Sequence, residues 1–225
     1  MQAASSKGFL LYIDVANNNK CNDLHELPSV LQGVSKNLGF APGDVAADSG
    51  YFHERSLQYL HEHGIEGFIP NPQAVAKERK GEKETGFESY NFPYDSEKDA
   101  LVCPEGKLLR QNVSPPRKKD NNSSSSKERP YHARPLDCVP CSSQDACLSS
   151  KQDQKFGRRS IAATPSQDLK YEMSQKMKTE EAKKRYGGRS SEIEPCFGNM
   201  KTILDFWETL LCRISEIISS ILLWA

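Results

Sequence analysis

Short apolar segments alternate with helical patterns along residues 9–72, and this alternation constrains the fold more than any other feature. Residues 9–15 (F-L-L-Y-I-D-V) are rich in strand formers and too short for a helix, so they predict a buried strand. Apolar residues recur at helical spacing over residues 23–38, which predicts an amphipathic helix that tolerates Pro28 only in its first turn. Gly39 is expected to end this helix.

The same pattern continues with two further strands around a second helix. Residues 45–47 and 65–69 are short and apolar, and residues 54–63 between them have helical spacing. Strands that alternate with helices predict an α/β layer in which at least some strands are parallel. Functional groups collect at the carboxyl ends of such strands, and Asp48 follows the strand at 45–47.

The rest of the chain is less regular. Residues 74–88 are charged and predict a loop, and residues 91–109 predict a hairpin that turns at Pro-Glu-Gly. Residues 113–130 are polar and of low complexity, which predicts a flexible linker. Helical character returns over residues 168–189, and residues 203–223 predict a last apolar helix.

Composition narrows the class of protein. Hydrophobic residues make up 36% of the chain and the mean hydropathy is −0.68, so part of the chain is expected to stay unpacked. The net charge is zero, but residues 155–190 hold ten basic and four acidic side chains, where a polyanion could bind.

No segment resembles a secretion signal, and the apolar residues 214–225 are far fewer than the roughly 20 that span a bilayer. We expect a cytoplasmic protein with no membrane partner.

Four of the seven cysteines form a group. Cys138 and Cys141 make a C-x-x-C motif, Cys147 follows closely, and Cys103 precedes the Pro-Glu-Gly turn. Four thiolates on such turns can bind a tetrahedral zinc ion, and a metal would help a segment poor in apolar residues to fold. The pattern favours structural zinc, and free thiols on a surface loop are the alternative that stays open.

Five collinear motifs carry a resemblance to a known family. They are V-A-A-D-S-G-Y-F (45–52), G-I-E-G-F-I-P-N-P (64–72), C-P-E-G-K-L-L (103–109), Y-H-A-R-P-L-D-C-V-P-C (131–141) and Y-G-G-R-S-S-E-I-E-P-C-F-G-N-M-K (186–201). Together they resemble the DDE transposases of bacterial insertion sequences, in the branch with a cysteine-containing insertion before the final glutamate. The last motif reads as a helix with a break at Pro195-Cys196-Phe197-Gly198.

The resemblance implies a fold and a chemistry. It implies an incomplete ribonuclease H-like fold, with a partial α/β core at 8–72, an insertion with the cysteine cluster at 73–160 and C-terminal helices at 165–225 that complete the core. It also implies DNA strand cleavage and transfer with divalent ions, usually Mg²⁺. The expected partners are insertion-sequence ends and target DNA, and a homodimer is the expected assembly.

The resemblance also assigns roles to residues. Asp48 matches the second catalytic acid and Glu194 the last, and both would bind Mg²⁺. Tyr186 and Arg189 match the family's Y-x-x-R pair, and with Lys201 they would contact DNA.

Part of the family pattern is missing from this sequence, and alternative interpretations of the matched residues stay open. The first catalytic acid has no counterpart here, since Asp14 lies elsewhere on its strand, so we interpret the chain as a truncated form that is inactive by itself. Glu192 is an alternative to Glu194, and Asp48 alone would also suit an ordinary turn. The alternative function is a non-catalytic zinc-containing module that binds nucleic acid or protein.

Overall fold

The computed structural model describes residues 2–7, 9–14, 25–111, 129–148, 150–164 and 166–202, which contain nine strands and eight α-helices. The strands are β1 (Gln2–Ser6), β2 (Phe9–Asp14), β3 (Asp44–Ala46), β4 (Glu66–Phe68), β5 (Tyr94–Asp95), β6 (Ala100–Val102), β7 (Leu108–Gln111), β8 (Arg129–His132) and β9 (Ser160–Ala163). The helices are α1 (Leu27–Leu38), α2 (Glu54–Glu62), α3 (Pro72–Arg79), α4 (Pro135–Cys138), α5 (Gln144–Cys147), α6 (Lys151–Phe156), α7 (Gln167–Lys176) and α8 (Glu180–Thr202). The chain is a mixed α/β protein, as expected.

The chain divides into two compact units, one drawn from residues 1–69 and 179–225 and the other from residues 70–178. In the first unit β3 and β4 are parallel, with Ala46 opposite Phe68, and α2 connects them. The predicted parallel pair is therefore present. Helix α1 has Pro28 in its first turn and ends at Gly39, whose φ of 79° is in the left-handed region that glycine adopts readily.

The strand predicted at residues 9–15 is present as β2, but it is not buried. β2 pairs antiparallel with β1 in a separate two-stranded sheet, and the side chain of Phe9 is 73% exposed, so the prediction of a buried strand was wrong. The reason is that a two-stranded sheet packs only one face. That face lies against α1, where a Cβ atom on Gly33 would clash with the Tyr12 ring.

The second unit contains an antiparallel sheet in the order β5-β6-β7-β8-β9. One face carries the core, formed by Phe92, Leu101, Leu109, Tyr131, Ala133, Ile161 and Ala163. The expected hairpin is formed by β6 and β7. Most of the predicted linker lies outside the described residues, but Arg129 and Pro130 belong to β8, because they pair with Ala163 and Ala162 of β9.

Two further predictions were wrong in part, namely the loop at 74–88 and the single helix over 168–189. Part of the expected loop at 74–88 belongs to helix α3, because Asn71 accepts a hydrogen bond from the backbone N–H of Gln73 (2.8 Å) and Pro72 suits the first helical position. The predicted helix over 168–189 is divided between α7 and α8, and Thr179 caps α8 by accepting the backbone N–H of Ala182 (3.2 Å).

Helix α8 runs through Pro195 without the expected break. A proline removes one backbone donor, and the hydrogen bonds on either side of it can hold the helix together. The predicted helix at 203–223 lies outside the described residues. Within the described part of the chain, no helix is long and apolar enough to cross a membrane.

Candidate active site

Asp48 lies where the sequence places it, just beyond the carboxyl end of β3. The backbone N–H of Ala47 extends the pairing with β4 by donating to the Phe68 carbonyl (3.2 Å), and the Asp48 carbonyl accepts from Tyr51 (2.9 Å) to start a short turn. The Asp48 side chain is 58% exposed. A carboxylate at this edge is open to a cation or to a basic side chain.

Helix α8 supplies that basic side chain. Nη2 of Arg189 lies 2.8 Å from Oδ1 of Asp48, and one turn earlier Nη1 of Arg185 lies 3.4 Å from Oδ2 of Asp44. Both acids flank β3, so the two ion pairs fix one face of α8 along this strand. The guanidinium of Arg189 also lies over the Tyr186 ring, 5.4 Å from its centroid.

The two candidate acids near the end of α8 differ in their surroundings. Glu192 accepts a hydrogen bond from the backbone N–H of Lys7 (3.1 Å) in the β1–β2 turn. Glu194 is exposed. Five residues of α-helix correspond to a rotation of roughly 140° and a rise of roughly 7.5 Å, so Glu194 projects from a different side of α8 than Arg189.

The partners of Asp48 and the arrangement of the nearby acids show which groups this site can bind. Arg189 of α8 forms an ion pair with Asp48. The guanidinium group that the family resemblance assigns to DNA binding is therefore paired with a carboxylate of the same chain. Carboxylate oxygens are ligands that Mg²⁺ accepts. Within the described residues, however, no group of three or more His, Cys, Asp or Glu side chains is arranged to hold a metal ion. Lys201 lies in α8, and its side chain is outside the description.

The four grouped cysteines converge in the second unit. Cys103, Cys138, Cys141 and Cys147 are free thiols that line one small cavity of about 30 Å³. The turn after β6 folds back on its first residue, because the backbone N–H of Lys107 donates to Sγ of Cys103 (3.2 Å). The convergence joins Cys103 to cysteines that lie beyond the predicted linker.

The electrostatics of this cavity favour neutral thiols. Burial raises the pKa of Cys147 to about 11, although the nearby Arg159 opposes the shift, and burial also raises the pKa of Cys138. Cys103, Cys138 and Cys147 pack against the core. The thiol set has the chemistry of a zinc site, but it does not have the arrangement of one in the described structure.

Sequence reasoning missed the residue that ties this region together. Nη1 of Arg159 lies 3.0 Å from Oδ2 of Asp153 and donates to the Cys147 carbonyl (3.2 Å), while Nη2 donates to the Phe87 carbonyl (3.1 Å). Oδ1 of Asp153 accepts the backbone N–H of Ser160 (2.9 Å). Nothing in the local sequence distinguishes Arg159 from the adjacent Arg158, because its contacts with Cys147 and Phe87 form only in the folded chain.

Comparison with known proteins identifies part of the chain. Residues 102–212 match the sequence model of the transposase DDE domain, a range that includes the four cysteines and Glu194 but not Asp48. No curated protein and no solved structure matches the chain. The match at residues 102–212 therefore supports a C-terminal part of a transposase DDE domain, in agreement with the resemblance drawn from the sequence.

Proposed function

We propose that the chain is part of a transposase of a bacterial insertion sequence, which cleaves and transfers DNA strands with divalent metal ions. The observation that carries this proposal is the DDE-domain match over residues 102–212, which ends beyond Glu194. The position of Asp48 at the carboxyl end of a parallel strand supports it. DNA is the substrate that a transposase domain implies, and we expect the reaction to take place in the cytoplasm.

Asp48 and Glu194 are the proposed catalytic acids. Their carboxylates would hold a divalent ion, which would supply Lewis-acid chemistry for attack on a phosphodiester, but the described structure does not bring the two acids together around one site. Arg189 forms an ion pair with Asp48 at a distance of 2.8 Å, so a cation bound by Asp48 would compete with this pair. An Arg189 guanidinium released from Asp48 would be able to contact a DNA phosphate beside Tyr186.

The proposed organisation follows the family. Residues 8–72 and 165–225 would form a partial ribonuclease H-like core, and residues 73–160 would be the insertion with its cysteine cluster and its flexible linker at 113–130. The grouping of residues 1–69 with 179–225 supports the joining of the two core segments, as does the parallel pair β3 and β4, whereas residues before 179 group with the 70–178 unit. Transposition joins two DNA ends, and a homodimer would provide one site for each.

A plasmid-nicking assay tests the catalytic assignment. No third acid is assigned, so we expect the 225-residue chain alone to leave supercoiled plasmid intact and a fusion that supplies the family's first acidic segment to nick it with Mg²⁺. Asp48→Ala or Glu194→Ala should abolish nicking by the fusion, whereas Glu192→Ala, the matched control on the same helix, should not. Equal nicking by all three variants would refute the assignment.

A second candidate function is a zinc-containing module that binds nucleic acid or protein without catalysis. The observation that favours it is the convergence of four free cysteines on one cavity. Zinc would have to displace the thiol protons and draw the sulfur atoms together. Elemental analysis of protein purified with added zinc should then find one zinc ion per chain, lost when Cys138 and Cys141 are both changed to Ser. Zinc-free protein would remove this candidate.

A further inference from the structure

A second, wider cavity lies on the sheet of the 70–178 unit, at the start of β7. Its volume is about 210 Å³. We call it the basic groove, and its lining consists of Gly106, Lys107, Leu108, Arg110, Arg134 and Asp137. Three of these six residues are cationic, and one is anionic.

Strand geometry brings the three cations together. Leu109 of β7 is buried in the core, so its neighbour Arg110 projects from the opposite face of the sheet. Arg110 is paired with His132 of β8, and Arg134 follows two residues later. Lys107 comes directly before β7, after Gly106, whose φ of 77° keeps the turn tight without a side chain.

The cations of the groove differ from four paired basic residues of the same unit. Lys77, Lys98, Arg159 and Lys178 each form an ion pair with a nearby acid. Lys107, Arg110 and Arg134 are exposed, and within the described part of the chain none of them has an ion pair. Asp137 is the acid of the lining, so the groove has a net positive charge of about two.

We propose that the basic groove binds the phosphate backbone of duplex DNA. Two guanidinium groups can each donate two parallel hydrogen bonds to a phosphate, and the Lys107 ammonium adds a point charge. Exposed Lys and Arg side chains beside half-buried Leu108 suit contacts to phosphates, which fix the position of the protein on the duplex without carrying sequence information. The choice of DNA rests on the proposed transposase function, since all three cations lie within the matched segment 102–212.

Salt-dependent binding tests the proposal on the full 225-residue chain. The affinity for a fluorescent DNA duplex is measured by anisotropy between about 50 and 200 mM salt, for the unaltered chain and for Lys107→Gln/Arg110→Gln/Arg134→Gln. The slope of log K against log salt is negative, and each lost phosphate contact should reduce its magnitude by about 0.9. The triple variant should therefore lose about 2 to 3 units of slope magnitude and bind at least about tenfold more weakly at the lowest salt.

A matched variant removes the same charge elsewhere in the unit. Arg79→Gln/Lys83→Gln/Lys151→Gln also changes three exposed cations, and its slope should stay close to that of the unaltered chain. Arg134→Lys keeps the charge and should keep the slope, while Arg134→Gln should lose about one unit. Circular dichroism melts establish that each variant is folded. Equal slopes for the groove triple and the matched triple would overturn the proposal.

The groove and the catalytic proposal fail in different ways. If the groove is right and the catalytic assignment is wrong, the triple variant loses slope while nicking is indifferent to Asp48→Ala. If the groove is wrong and the catalytic assignment is right, the slopes are equal while Asp48→Ala and Glu194→Ala abolish nicking.

Discussion

The buried ion pair between Asp153 and Arg159 should dominate the stability of the 70–178 unit. The side chains are 4% and 12% exposed, and their charged atoms lie 3.0 Å apart. Asp153→Ala removes this pair and the acceptor for the Ser160 N–H, and it leaves the Arg159 guanidinium buried with two backbone carbonyls as partners. Breaking a buried pair by removing one partner costs about 3–5 kcal/mol, because the remaining charge is uncompensated.

Urea unfolding followed by circular dichroism measures this cost. Asp153→Ala should lower the free energy of unfolding by about 3–5 kcal/mol at an unchanged m value. The matched control is Lys98→Ala, which removes the exposed ion pair to Asp95 and should leave the midpoint unchanged.

The double variant Asp153→Leu/Arg159→Met separates the two contributions. It removes both charges and refills the volume, so it should be more stable than Asp153→Ala. Equal midpoint shifts for Asp153→Ala and Lys98→Ala would refute the reasoning, since the buried pair would then count no more than an exposed one.

Three further predictions concern other contacts. Arg189→Ala removes the ion pair to half-exposed Asp48, so it should speed hydrogen exchange in α8 while costing only about 1 kcal/mol of stability or less; unchanged exchange would contradict the docking role. Burial raises the pKa of Glu88, but hydrogen bonds from Lys77 and the Thr85 backbone outweigh it and lower the pKa to about 2. The folded state therefore binds fewer protons than the unfolded state between about pH 2 and 4.5, and urea midpoints should fall as pH decreases through this range, less steeply in Glu88→Gln. The raised pKa of Cys147 keeps its thiol protonated at neutral pH, so iodoacetamide should label it slowly and faster as the pH approaches 11; fast labelling at pH 7 would contradict its burial.

Local sequence was enough to predict the elements whose signals are local. Pro28 and Gly39 bound α1 because one suits a first helical turn and the other a left-handed end. The apolar run before Asp48 predicted both β3 and the place of this acid at its carboxyl end, and the Pro-Glu-Gly turn predicted the β6–β7 hairpin. The motifs likewise predicted the transposase DDE domain whose sequence model matches residues 102–212, although the motifs at 45–52 and 64–72 lie outside that match.

Tertiary structure decided the features that depend on distant partners. Pairing with β1 left Phe9 exposed, and pairing with β9 drew Arg129 and Pro130 out of the predicted linker into a strand. The sequence by itself determined which charges and thiols the chain carries, but only packing decided that Arg189 contacts Asp48 and that Arg159 contacts Asp153. The physical reason is that helix ends and tight turns depend on neighbouring residues, whereas strand pairing and the Arg189–Asp48 ion pair join residues far apart in the chain, and the Arg159–Asp153 pair forms only once the chain between them has folded.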